Sequence, residues 1–112
     1  MAEATDEIVV FVTAASQEEA ARIGRRVVEE GLAACANILP GVRSIFSWEG
    51  KISEEQESLM ILKSRAGLFE DLATVVKSLH SYSVPEIIAI PIVKGADDYL
   101  SWLGAVTGKS KK

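Results

Sequence analysis

Val42-Arg43-Ser44-Ile45-Phe46-Ser47-Trp48-Glu49-Gly50-Lys51-Ile52 is rich in β-branched and aromatic residues and breaks at Glu49-Gly50, where a tight hairpin turn belongs. The returning arm passes through the acidic Ser53-Glu54-Glu55-Gln56-Glu57 into the apolar Ser58-Leu59-Met60-Ile61-Leu62-Lys63. Strands average about 5 to 6 residues, so two arms of more than ten residues each reach past the edge of their own domain.

Upstream of the hairpin, Leu32 to Leu39 runs into Pro40-Gly41, which a continuous strand carries only with a bulge or a bend. Before that, Ser16 and Glu19 form a capping-box pattern, and Ala20, Ile23, Gly24, Val27 and Val28 recur at helical spacing until Gly31. This predicts a helix from Gln17 to about Glu30. Ile8-Val9-Val10-Phe11-Val12, ahead of Thr13-Ala14-Ala15-Ser16, reads as a buried strand. Downstream, Leu68, Leu72, Val75 and Leu79, flanked by Phe69 and Val76, repeat at the helical period, with Ser64 placed to cap the start. Ile87 to Val93 is a further strand that Pro91 assigns to an edge. A short amphipathic helix from Asp97 to about Val106 offers Tyr99, Leu100, Trp102 and Leu103 for contacts. Strand, helix, strand, strand, helix, strand and closing helix make an α+β chain. Right-handed crossovers turn that order into a ferredoxin-like split β-α-β sheet with both long helices on one face.

A chain of 112 residues is one domain, 1–112. Its ordered core is expected over about 8–106, with tails 1–6 and 108–112 flexible. Apolar residues are 48% of the chain but aromatic ones only 6%, which argues against a base-stacking nucleic-acid platform. A net charge of -4 opposes nucleic acid and anionic lipid. The apolar stretches are far shorter than the ~20 residues of a membrane-spanning helix. The acidic Met1-Ala2-Glu3-Ala4-Thr5-Asp6-Glu7 lacks signal-peptide character, and a single cysteine closes no intrachain disulfide, so a cytoplasmic protein is expected. The strands at Ile8, Leu59 and Ile87 are apolar at nearly every position, as in sheets covered on both faces. Two helices leave the other face bare, on the order of 400 Å². Burying it contributes up to ~10 kcal/mol per subunit before association costs. A closed homo-oligomer follows, with the long hairpin pairing to a neighbour's sheet edge.

Cys35, within Ala33-Ala34-Cys35-Ala36, is most simply a small buried apolar residue; its thiol is also the chain's one soft ligand or nucleophile. His80, the sole histidine, ends the second helix and reads as a ligand, a general base or a cation favoured at a helix C-terminus. Tyr82 and Glu86 follow within seven residues and add a phenol and a carboxylate suited to acid-base work or coordination. Lys63 either snorkels from its strand or lies in a cleft beside Glu86 and binds an anion. Trp48 and Glu49 at the hairpin tip, and Trp102 in the last helix, read as packing or interface anchors. GxGxxG, Walker A, HExxH and GxSxG are all absent from the sequence.

Val12-Thr13-Ala14, Leu32-Ala33-Ala34-Cys35-Ala36-Asn37-Ile38, Pro40-Gly41, Trp48-Glu49-Gly50-Lys51-Ile52, His80-Ser81-Tyr82-Ser83-Val84-Pro85-Glu86-Ile87 and Tyr99-Leu100-Ser101-Trp102 together resemble the CutA divalent-cation-tolerance family. The resemblance implies a ferredoxin-like homotrimer related in architecture to PII signal proteins. It implies binding of copper and other divalent transition metals, and no settled enzymatic activity. Carried over by position, the metal candidates are His80, Cys35 and Glu86; Lys63, Tyr82 and Trp102 are the expected lining of an intersubunit cleft. Three departures stand out: Val12 where some members carry a second cysteine, Ser81 for proline after the histidine, and Ala15 for proline after Thr13-Ala14. The expected partners are further copies of the chain and divalent metal ions, with no nucleic acid and no membrane. The alternative is a PII-like small-molecule sensor or partner-binding module that uses the intersubunit clefts.

Overall fold

Strand β1 (Glu7–Ala14) leads into helix α1 (Gln17–Glu29), then the hairpin of β2 (Cys35–Trp48) and β3 (Lys51–Arg65). A single 3₁₀ turn, Ala66–Leu68, opens helix α2 (Phe69–Leu79), and β4 (Ile87–Pro91) and helix α3 (Asp97–Ala105) complete the chain. This computed structural model describes residues 6–108, so residues 1–5 and 109–112 of the expected tails lie outside it. The sheet order is β2-β3-β1-β4, every neighbouring pair antiparallel. Insertion of β3 between β1 and β2 is the split β-α-β arrangement, and β4 sits at an edge as Pro91 requires.

Alternation along the strands divides the sheet. Ile8, Val10, Val12, Met60 and Leu62 are buried on one face, packed with Ile23, Val27, Leu72 and Val76 of α1 and α2. Gly24 permits the close approach of α1: a Cβ there would stand 2.9 Å from the Ala36 Cβ. Ser16 caps α1 by accepting the Glu19 N–H at 3.1 Å. The ladder between β2 and β3 shifts register between Leu39 and Val42, the irregularity expected at Pro40-Gly41. At the hairpin tip Glu49 has φ +52° and Gly50 φ +81°, the paired positive values of a type I′ turn.

Two expectations are corrected. Ser64 does not cap α2: β3 continues to Arg65, paired with Glu7, and the fully buried Ser64 hydroxyl donates to the Leu32 carbonyl at 2.6 Å. The second sheet face is not wholly bare either. Helix α3 lies over its Cys35–Lys63 end, with Leu103 fully buried and Arg65 donating to the Thr107 hydroxyl at 2.9 Å and its carbonyl at 3.1 Å. Apolar exposure persists on β4, where Ile88 and Ile90 are 53% and 50% exposed, and along the outer hairpin at Ile45, Trp48 and Ile52.

Glu49→Asn puts a residue tolerant of positive φ in the turn and is expected to raise stability by about 0.5 to 1 kcal/mol in thermal melts, whereas Gly50→Ala lowers it by a similar amount. Ser64→Ala leaves the buried Leu32 carbonyl without its donor, and a loss of about 1 to 3 kcal/mol is expected in denaturant titrations.

Candidate functional site

The residues singled out by chemistry fall into two groups at opposite ends of the sheet. Glu19, on the first turn of α1, anchors the first. Its carboxylate accepts the Ala15 N–H at 3.2 Å, the Ser81 N–H at 2.6 Å and the Ser81 hydroxyl at 3.0 Å. Burial pushes this carboxyl up, but the Ser81 and Ala15 donors and the nearby His80 outweigh it and hold the group below its ordinary value of 4.5. Serine in place of proline at position 81 thus supplies two donors to a nearly buried carboxylate.

His80, the C-cap of α2, has a side chain that is 0% exposed. Its Nδ1 accepts the Tyr82 N–H at 3.0 Å, so the ring proton sits on Nε2 and is donated to the Thr13 carbonyl at 2.7 Å. Nδ1 also stands 3.5 Å from Glu19 Oε2, and the ring packs against Tyr82 with centroids 4.7 Å apart. This tie holds the loop after α2 against the end of β1. It orients Tyr82, whose hydroxyl donates to Glu57 Oε2 at 2.6 Å. Burial first, then the Glu57 hydrogen bond and charge, push the phenol of Tyr82 far above its ordinary value of 10.0. Glu86, exposed at the start of β4, accepts a long contact from the Thr13 hydroxyl at 3.5 Å.

Beside this tie lies a cleft of about 720 Å³ between the outer half of the hairpin and the 82–86 loop. Its lining includes Glu55, Glu57 and Glu86 beside Phe46, Trp48 and Tyr82, and among the described residues no basic side chain. The potential there favours cations.

The second group sits under α3. Cys35 and Lys63 are cross-strand partners; Lys63 Nζ donates to Asn37 Oδ1 at 2.6 Å and lies 3.7 Å from the Cys35 sulfur. The Tyr99 hydroxyl is 3.8 Å from the same sulfur, and its ring packs tilted against Trp102 with centroids 5.5 Å apart. Burial, then the thiol, raise the Tyr99 phenol. Lys63 pairs with Val9, four residues along β1 from Thr13, so the two groups are about 13 Å apart at ~3.3 Å per residue.

Tyr82, Glu86 and Trp48 therefore meet in the cleft, and His80 lies beneath it as a positioning residue. Lys63 and Trp102 do not line it; Lys63 is tied to Asn37 rather than held beside Glu86. Cys35 belongs to the far end. Sequence reasoning did not single out Thr13, Glu19 or Glu57 as site residues. Glu55 and Glu57 share one strand face at a spacing of two, a signal hidden inside what read as a merely acidic connection. Among the described residues no three His, Cys, Asp or Glu side chains gather to hold a metal ion, and both His80 nitrogens are engaged. Within this chain those donors do not make a closed four-ligand metal site.

The chain is thus a ferredoxin-like α+β fold with a carboxylate-lined cleft. The chain matches the family model of the CutA1 divalent ion tolerance protein over residues 8–106, and it belongs to that family. It is 48% identical over 102 residues to the divalent-cation tolerance protein CutA of Thermus thermophilus, covering 91% of this chain and 99% of that protein. The solved structure of that Thermus protein superposes with a TM-score of 0.90. The chloroplastic protein CutA of Arabidopsis thaliana is 47% identical over 96 residues, 86% of this chain but only 53% of that protein. A structure described as the periplasmic divalent cation tolerance protein CutA of Archaeoglobus fulgidus shares 44% identity at a TM-score of 0.87, with 89% and 97% of the two chains covered. The chain thus spans nearly the whole Thermus protein and about half of the plant one.

Because the folded Glu19 carboxyl titrates below 4.5, its contribution to stability is complete above that pH and is lost as pH falls through the lower folded value. Urea titrations between pH 6 and pH 3 are expected to show this acid loss, and Glu19→Gln is expected to make it shallower.

Proposed function

We propose that the chain acts as a cytoplasmic homotrimer that binds divalent transition metals weakly, copper foremost, in the service of metal tolerance. The observation that carries this reading is the cleft lined by Glu55, Glu57 and Glu86, with no basic side chain among the described residues. Glu86 offers an exposed carboxylate, and His80 stands behind it, its Nδ1 freed for a metal only when the Tyr82 N–H lets go. Imidazole and thiolate suit copper and zinc better than magnesium. Cys35, on β2 opposite Lys63, is a separate soft donor outside the cleft. The apolar exposure of β4 and of the hairpin at Ile45, Trp48 and Ile52 supports association, with Trp48 and Glu49 at the contact. The number of copies follows from the family resemblance. The reading contains no catalytic step.

Isothermal titration with copper(II) tests the site. Glu86→Gln and His80→Ala are each expected to weaken binding about tenfold or more, a loss of about 1.4 kcal/mol or more, with Cys35→Ser affecting only a distinct phase. Unchanged affinity in both cleft variants would make the assignment wrong. Light scattering at micromolar concentration is expected to report a trimer, and a monomer contradicts the assembly.

One observation favours a second reading, a small-molecule sensor of PII-like kind. A hollow of about 720 Å³ has the size of an organic ligand site, typically about 300 to 1,000 Å³, and far exceeds what a metal ion needs. A compound that raises the melting temperature while copper leaves it unchanged decides for the sensor.

A further inference from the structure

We propose, resting on the metal reading above, that Tyr82 is a clasp that shuts the 82–86 loop over His80 and that a metal reaches the imidazole only when the clasp opens. In the closed subunit His80 has no nitrogen to offer. Its Nε2 donates to the Thr13 carbonyl at 2.7 Å, and its Nδ1 accepts the Tyr82 N–H at 3.0 Å. The first bond fastens the ring to β1, the frame of the sheet; the second fastens it to the loop, and only that one yields when the loop moves. Tyr82 holds on at both ends. While its N–H occupies Nδ1, its hydroxyl donates to Glu57 Oε2 on β3 at 2.6 Å, and its ring lies tilted against the imidazole. One residue therefore covers the imidazole and locks that cover to the hairpin.

Little else fixes the loop. Among the described residues, no backbone-to-backbone hydrogen bond ties residues 81–86 to the rest of the chain. Ser81 gives two donors to Glu19 and so stays anchored on α1, which makes it the hinge. At the other end Glu86 meets only the Thr13 hydroxyl, at 3.5 Å, before Ile87 pairs with Val12. Between them Ser83 is exposed and Val84 is 68% exposed. A segment with few buried contacts and few backbone hydrogen bonds opens locally at low cost. The Tyr82–Glu57 bond, strengthened by the carboxylate charge, sets that cost here. Opening frees the Nδ1 lone pair. A metal that binds only the open loop has its affinity reduced by the fraction of molecules that are open, and its binding raises that fraction in turn. Weakening the clasp therefore strengthens metal binding, the opposite of what losing a ligand does.

Hydrogen exchange on peptides spanning residues 80–86, read by mass spectrometry, and calorimetric titration with copper(II) test the proposal on the full chain. In the parent, saturating copper(II) is expected to speed exchange of the Tyr82 amide about tenfold or more, because the metal displaces that amide from Nδ1. This measurement needs no variant. Tyr82→Phe keeps the ring and the N–H and removes only the hydroxyl. It is expected to speed the same exchange without metal and to bind copper(II) about tenfold more tightly. Glu57→Gln leaves the hydroxyl an uncharged acceptor, and its metal-free exchange is expected to fall between those of the parent and Tyr82→Phe. Suppose that the parent binds copper(II) and His80→Ala weakens it. Unchanged or slower Tyr82 exchange on metal binding, or unchanged or weaker copper affinity in a folded Tyr82→Phe protein, then overturns the clasp while the metal reading stands. If copper(II) does not bind, or His80→Ala leaves its affinity unchanged, the metal reading falls and the clasp falls with it.

Discussion

Strand β3 is the constraint on which the rest of the structure depends. It pairs along its inner half with β1 and along nearly its whole length with β2, so its register fixes what every neighbour can present. Because side chains alternate, Met60, Leu62 and Ser64 face the two long helices while Leu59, Ile61 and Lys63 face the other way. A slip of one residue would put Lys63 into the core and Met60 into solvent. Beyond the register shift opposite Pro40-Gly41 the same strand leaves the body of the domain and carries Glu55 and Glu57 along the cleft.

The second organising contact is the tie at the far end of β1. Glu19, His80 and the Thr13 carbonyl join the start of α1, the end of α2 and the end of β1 around one buried imidazole. Its two nitrogens are spent on Thr13 and Tyr82, so in the folded subunit the ring acts as a brace. The 82–86 loop is held over the hairpin by that brace, and the cleft is what remains between them. Burial of polar groups at this junction is tolerable because each finds a partner: among the described residues, no buried side-chain nitrogen or oxygen is left without one.

Much of this was legible in the residues. The Glu49-Gly50 turn, the Pro40-Gly41 irregularity, the Ser16 cap and the edge position of the Pro91 strand each follow from a backbone requirement that few residue types meet. Ser64 misled because a serine before a helical pattern looks like a cap, whereas tertiary pairing with Glu7 carried the strand through it. The role of α3 escaped for a different reason: a weakly amphipathic helix does not announce which face of the sheet it will cover. The site was half legible. His80, Tyr82 and Glu86 lie within seven residues and were found together, but Glu57 joins them only through a contact 25 residues distant, and Cys35 sits two strands across the sheet from β1, opposite Lys63. Residue type names a possible ligand; register decides which ligands meet.

The central claim is that cations are drawn to the carboxylate cleft and not to the thiol under α3. Anomalous difference density from crystals of the protein soaked in copper(II) tests it most directly. The account predicts a peak within coordination distance of Glu86 at the cleft, with any peak at Cys35 separate from it. A single peak confined to Cys35, Lys63 and Tyr99, with the cleft empty of metal, would contradict it.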